Sequence, residues 1–223
     1  MALIHRWPLT SGPKDVVGGL VTTNNGGVTF GPDGGHFNGS NQCLSFTKTR
    51  PASYSMSIWV QSVAFGNRMV PFAGSDIEGN FISIWGFETS NTSTLWVFSC
   101  GETFLEISSE MTDVKYPPGA MTLMAFTFEN GNILYYRNMN NVASKVISGY
   151  GSGANTVSIG RCGAYNGLYW KGLLADARIY DHALSQSEID ALYAAGPNGI
   201  ITENKNQITP IISKKIFIMR QGF

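Results

Sequence analysis

Glycoside hydrolysis takes two carboxyl groups, one on each side of the scissile bond. Glu102, Glu106, Glu110 and Asp113 come closest to supplying them. On a strand, Glu106 and Glu110 share a face, with Ser108 between them. Nucleophilic catalysis has less to work with. The chain holds no Gly-x-Ser-x-Gly elbow, and His5, His36 and His182 fall in separate segments without metal-ligand spacing. Sugar recognition asks for flat aromatic faces beside amides and hydroxyls. Tyr165, Asn166 and Tyr169 offer these in and beside a glycine-rich loop, as do Trp85 and Asn91 with Trp96. The competing account of the tryptophans is core filling, and Trp59 and Trp170 are read that way. Cys43, Cys100 and Cys162 are widely spaced and form no Cys-x-x-Cys pair, so they are read as small buried hydrophobes.

The elements that must carry these residues are overwhelmingly β. Tyr54, Met56, Ile58 and Val60 alternate onto one face of a strand, with Trp59 on the other. Further runs at Cys43–Phe46, Met69–Ala73, Phe81–Phe87, Thr94–Ser99, Thr103–Ser108, Met121–Phe128, Ile133–Asn138, Val142–Ile147, Thr156–Gly160 and Leu168–Tyr180 are separated by Gly, Asn and Pro clusters. Ten or so short strands at this spacing predict a two-sheet antiparallel sandwich. Asn130-Gly131 predicts a tight type I′ hairpin, because both residues tolerate positive φ. One helix is expected. Ser185 and Glu188 form a capping box, Leu184 and Ile189 a hydrophobic staple, and Gly196-Pro197 the stop.

Composition bounds the partners. The chain has 223 residues, a length suited to one large β-sandwich, with 43% hydrophobic and only 13% charged residues and a formal net charge of +0. About 25% charged residues is usual; Gly, Asn, Ser and Thr take their place. A nucleic-acid surface needs clustered Lys and Arg, so none is expected. No run approaches the ~20 apolar residues of a membrane span, so no membrane insertion is expected. Met1 to Trp7 lack the apolar stretch of a secretory leader. The expectation is a cytoplasmic protein or one exported by another route, of which release in a virus particle is one.

The segment Trp170-Lys171-Gly172-Leu173-Leu174-Ala175-Asp176-Ala177-Arg178-Ile179-Tyr180, continuing through Ala183-Leu184-Ser185 to Glu188-Ile189, resembles the closing motif of laminin-G-like, concanavalin-A-like jelly rolls. Trp7-Pro8-Leu9 is similar to the opening strand of that family, Gly39 to Phe46 to the stretch before its first core strand, Ser57-Ile58-Trp59-Val60 to its Trp-containing strand, and Ile133 to Arg137 to a late strand. The resemblance covers about residues 4–197. Departures occur at Met121, where the family often has Trp, and at Asn138-Met139-Asn140-Asn141, where it has Asp-Gly. Glucanases of this broad fold carry Glu-x-Asp-x-x-Glu on one strand, and the Glu106–Glu110 stretch lacks the central Asp.

The resemblance implies a concanavalin-A-like jelly-roll sandwich with one short C-terminal helix, and binding of sugars, proteins or calcium without catalysis. Asp15, Asp33 and Asp176 occupy regions where relatives place calcium ligands. No cofactor is required, and calcium is the one considered. Turn chemistry for Asp15 and Asp33, and a structural bond to Arg178 for Asp176, are the competing accounts. The expected domain spans 1–197. Residues 198–223, rich in Ile, form a β-prone tail expected to dock on a partner: the parent sandwich, another copy of the chain or a larger assembly. The leading expectation, from that resemblance, the absent leader, the low charge and the apolar tail, is a non-catalytic adhesion or decoration module of a virus particle, of phage type, located in the virion or outside the cell. It would bind glycan or other virion proteins. A free lectin and a glycan hydrolase are the alternatives.

Overall fold

The computed structural model describes residues 2–63, 69–78, 81–89, 95–100, 103–105, 119–146, 156–162, 167–197 and 199. In chain order the strands are β1 (Leu3–Trp7), β2 (Thr23–Asn25), β3 (Thr29–Gly31), β4 (Gly34–Asn38), β5 (Cys43–Thr47), β6 (Tyr54–Ser62), β7 (Met69–Glu78) and β8 (Phe81–Thr89). They continue as β9 (Leu95–Cys100), β10 (Thr103–Leu105), β11 (Thr122–Glu129), β12 (Asn132–Arg137), β13 (Asn140–Val146), β14 (Thr156–Ile159) and β15 (Lys171–Tyr180), followed by helix α1 (Gln186–Ala195). The strands form two antiparallel sheets. The eight-stranded sheet runs β13-β12-β11-β6-β15-β4-β3, with β1 also beside β15; the seven-stranded sheet runs β10-β9-β8-β7-β14-β5-β2. The two-sheet architecture expected from the sequence is present. No described helix is long and apolar enough to cross a membrane.

Period-two alternation explains the core. Tyr54, Met56, Ile58 and Val60 of β6 face the other sheet and are fully buried, beside Phe126 and Phe128 of β11 and Phe72 of β7. Trp7 stacks on Phe46 across the sandwich at 4.4 Å between ring centroids, and its indole N–H donates to Thr22 Oγ1. Each such ring removed from water contributes about 1.5–3 kcal/mol. Trp59, on the opposite face of β6, is buried by another layer. Helix α1 lies over the outer face of the eight-stranded sheet, so that Ile189 and Leu192 cover Trp59, Leu123, Ala175 and Tyr180. Tyr193 stacks on Trp59 with centroids 5.7 Å apart. Trp59 and Trp170 are thus both buried, as read from the sequence.

The local signals fold as their chemistry dictates. Asn130 and Gly131 take φ of 50° and 80°, the pair of positive values that a type I′ turn needs. The Ser185–Glu188 capping box forms, with the Ser185 N–H donating to Glu188 Oε2 at 2.8 Å. Asn138 adopts φ of 55° and accepts a hydrogen bond from the Leu123 N–H.

β15 is the strand on which the rest depends. Its first half pairs with β4 and its second half with β1 on the same side. At the switch the β15–β6 ladder bulges between Ala175 and Arg178, and Asp176 takes a positive φ of 49°. On β1, the Arg6 C=O accepts from the Val16 N–H and the Arg6 N–H donates to Asp15 Oδ1. The loop from residue 15 to 20 therefore covers that strand edge.

Candidate functional site

Away from helix α1, the outer face of the eight-stranded sheet carries a second group of side chains, set by strand register. His36 of β4, Leu173 of β15 and Gln61 of β6 are direct cross-strand partners and form one row. Asn38 pairs with Lys171 in the next row, and the Val63 N–H donates to the Lys171 C=O, bringing Val63 alongside. The alternate residues Phe37 and Leu174 turn inward to the core. Between the rows lies an open pocket of about 250 Å³, which also reaches Asp33.

Each polar side chain is held by a local bond. Asp33 Oδ1 lies 3.1 Å from His36 Nε2. That hydrogen bond holds the Asp33 carboxyl below its usual range, so it is ionised at neutral pH. Asn38 Oδ1 accepts from the Ser40 and Asn41 N–H groups, closing a turn at the rim. Gln61 Nε2 donates to the Gly119 C=O, leaving Oε1 as an acceptor. The Lys171 stem lies against Gly39, where an added Cβ would sit 2.7 Å from Lys171 Cβ. Leu173, only 7% exposed, forms an apolar floor, and Val63 stands 60% exposed at the side. The pocket thus sets ammonium and imidazole donors and carboxylate and amide acceptors around an apolar patch. That combination suits a ring bearing hydroxyls on its edge and C–H groups on its face.

The residues singled out from the sequence meet different fates. Asp15 is buried, and its two oxygens accept from the backbone N–H groups of Arg6, Val17, Gly18 and Leu20, with His5 Nδ1 at 2.7 Å. Asp176, also buried, pairs with Arg6 Nε at 2.7 Å and with Arg178 Nε at 3.0 Å. Asp33 is the pocket residue just described. These three carboxylates do not gather, and among the described residues no group of three or more His, Cys, Asp or Glu is placed to hold a metal ion. Calcium asks for several converging oxygens; Asp15 and Asp176 direct theirs to internal donors. The competing accounts of Asp15 and Asp176, a loop cap and a bond to Arg178, describe what is seen.

Tyr169 is half-buried, with the Arg161 guanidinium carbon 6.0 Å from its ring centroid. Tyr165, Asn166 and Asn91 lie outside the described residues, as do Glu102, Glu106, Glu110 and Asp113; of Trp85 the strand β8 is described. The histidines remain apart, each beside carboxylate: His5 with Asp15, His36 with Asp33, His182 between Asp181 and Glu188. Cys43 and Cys162 are buried, and burial pushes the Cys43 thiol up, as befits an inert core residue. Gln61, Val63 and Lys171 were not singled out from the sequence. Their signal is the outward phase of β6 and β15, and it becomes a site only once the register places them beside β4.

Residues 23–190 match the family model described as the concanavalin A-like lectin/glucanases superfamily, of the laminin-G type. A search of curated proteins finds no match. Among solved structures, the fourth domain of an extracellular arabinanase from Geobacillus stearothermophilus, in complex with arabinotriose, is similar with a TM-score of 0.67 and 21% identity, covering 86% of this chain and 98% of that one. The sialidase of Trypanosoma rangeli in complex with sialic acid is similar at 0.68 with 13% identity, over 86% of this chain and 32% of that one. The receptor binding domain of a botulinum neurotoxin C/D mosaic serotype is similar at 0.63 with 14% identity, over 87% and 51%. The chain thus spans about a third of the sialidase and half of the toxin domain. At these identities the likeness is one of fold.

Proposed function

This chain belongs to the concanavalin A-like lectin/glucanases superfamily, and from that premise we propose that it is a non-catalytic glycan-binding module, serving adhesion or decoration on a virus particle. The observation that carries the binding part is the pocket on the eight-stranded sheet away from helix α1, where Asp33, His36, Gln61 and Lys171 surround Leu173. Support comes from the arabinanase domain of nearly the same extent that was solved with arabinotriose. The non-catalytic part rests on Asp33 being the single carboxylate that lines the pocket among the described residues; hydrolysis takes a pair about 5–9.5 Å apart. The particle setting rests on the low charge of 13% and on the apolar residues between 208 and 219.

The test is a glycan array probed with the full chain and with His36→Ala and Gln61→Ala. Selective binding weakened by both variants is the expected result. A blank array, or binding indifferent to both changes, overturns the pocket as the site. Turnover of a bound polysaccharide, abolished by Glu106→Gln or Glu110→Gln, would show an enzyme instead. A free lectin is the second reading. It is favoured by the Gly199 C=O, which accepts from Arg6 and Arg178 of its own sandwich and so ties the start of the tail to this chain.

A further inference from the structure

We propose that the pocket takes its sugar through an anionic group, a carboxylate or a sulfate ester, with the Lys171 ammonium as the partner of that group. This rests on reading the pocket as a glycan site. Two charged side chains with opposite signs line it, and they are placed differently. Asp33 is engaged by His36 within the pocket, 3.1 Å from its Nε2. Lys171 makes no ion pair and no side-chain hydrogen bond among the described residues. Its ammonium is therefore available to a ligand, whereas the carboxylate already has a donor.

The lysine is also partly pre-organised. Its Cβ, Cγ and Cδ lie against Gly39, within 2.7–3.3 Å of where a Cβ would stand, and Lys171 sits in strand register between Asn38 and the Gly172–Ser62 pair. Fixing the stem beforehand reduces the rotamer entropy that binding must overcome. Gln61 Oε1 and the Asp33–His36 pair then remain for hydroxyls of the same ring.

The experiment titrates the full chain with matched oligosaccharides by calorimetry: one ending in a uronate against the same sugar ending in the neutral hexose, and one sulfated against its unsulfated parent. One acidic member binding about tenfold tighter than its neutral partner at low salt is expected, and which pair shows it identifies the anion. The preference should vanish in Lys171→Met and persist in Lys171→Arg. Both variants should fold normally, because Lys171 is exposed. Equal binding of acidic and neutral members, or a preference that survives Lys171→Met, overturns the anionic ligand while leaving a glycan module standing. Absence of binding to every member overturns both.

Discussion

Asp15 and His5 show how one buried carboxylate can set a chain edge and an acid limit together. Burial alone would raise the Asp15 carboxyl, but the backbone donors from Arg6, Leu20 and Val17 and the His5 ring outweigh it, and the group is held below its ordinary value. Burial also lowers His5, against the opposing pull of Asp15. Both shifts have the same sign for stability. A depressed group contributes stability above its unfolded pKa and loses it as pH falls through the folded one. His5 therefore begins to weaken the fold below about 6.5 and Asp15 below about 3.9, the unfolded values. Urea midpoints measured from pH 7 to pH 3 should fall in two stages, and His5→Gln should remove the upper one. A midpoint flat to pH 4 in the wild type would contradict this. Asp15→Ala, which strips five donors of their acceptor, should cost about 3 kcal/mol or more at pH 7. From sequence, Asp15 could be assigned to a loop cap or to a metal. Only the four converging N–H groups decide between them, and those come from a folded loop.

The elements with a strong local signal were legible. β6 alternates without interruption from Tyr54 to Val60, and α1 has its cap, staple and stop written in consecutive residues. By contrast β2, β3 and β4 lie in a Gly- and Asn-rich stretch with three to five residues each, too short for a period to register. Pairing of β2 to β5, of β4 to β15 and of β3 to β4 is what makes them strands, and the pocket depends on it, since β4 supplies His36 and Asn38. The site was therefore less readable than the fold: Lys171 and Gln61 are separated by over a hundred positions and meet only through register. Gly172 holds that register. It has φ of 138°, and a Cβ there would stand 2.1 Å from the Gln61 C=O. Gly172→Ala should destabilise the protein by at least about 3 kcal/mol, seen as loss of soluble protein or a large fall in Tm. Helix α1 offers a milder case. Glu188→Ala removes the acceptor of the Ser185 N–H and a partner of His182, and about 1 kcal/mol is expected. In a chain of this size that is a Tm decrease of roughly 2–4 °C. An unchanged Tm would show the box to be energetically idle.

At the scale of the molecule, the question is where the sandwich ends and what the tail does. The expected border at Pro197 falls short of a contact the structure shows. Arg6 and Arg178 bring two guanidiniums to the buried carboxylate of Asp176, so that among the described residues positive charge exceeds negative there by one. Both guanidiniums then donate to the Gly199 C=O, at 3.0 and 2.9 Å, and Arg178 also reaches the Tyr180 hydroxyl. A buried charge that loses a hydrogen-bond partner is costly, so a chain ending at Pro197 should be less stable than one ending at Ile201, by about 1.5–3 kcal/mol. Comparing the two therefore separates stability from assembly, which a single truncation would confuse. Mass in solution then tests the tail. If the full chain forms defined oligomers and the chain ending at Ile201 is a well-folded monomer, residues beyond 201 are an assembly element and the particle reading gains. If both are monomers of equal Tm, the tail is dispensable to fold and assembly alike, and a free lectin becomes the better account.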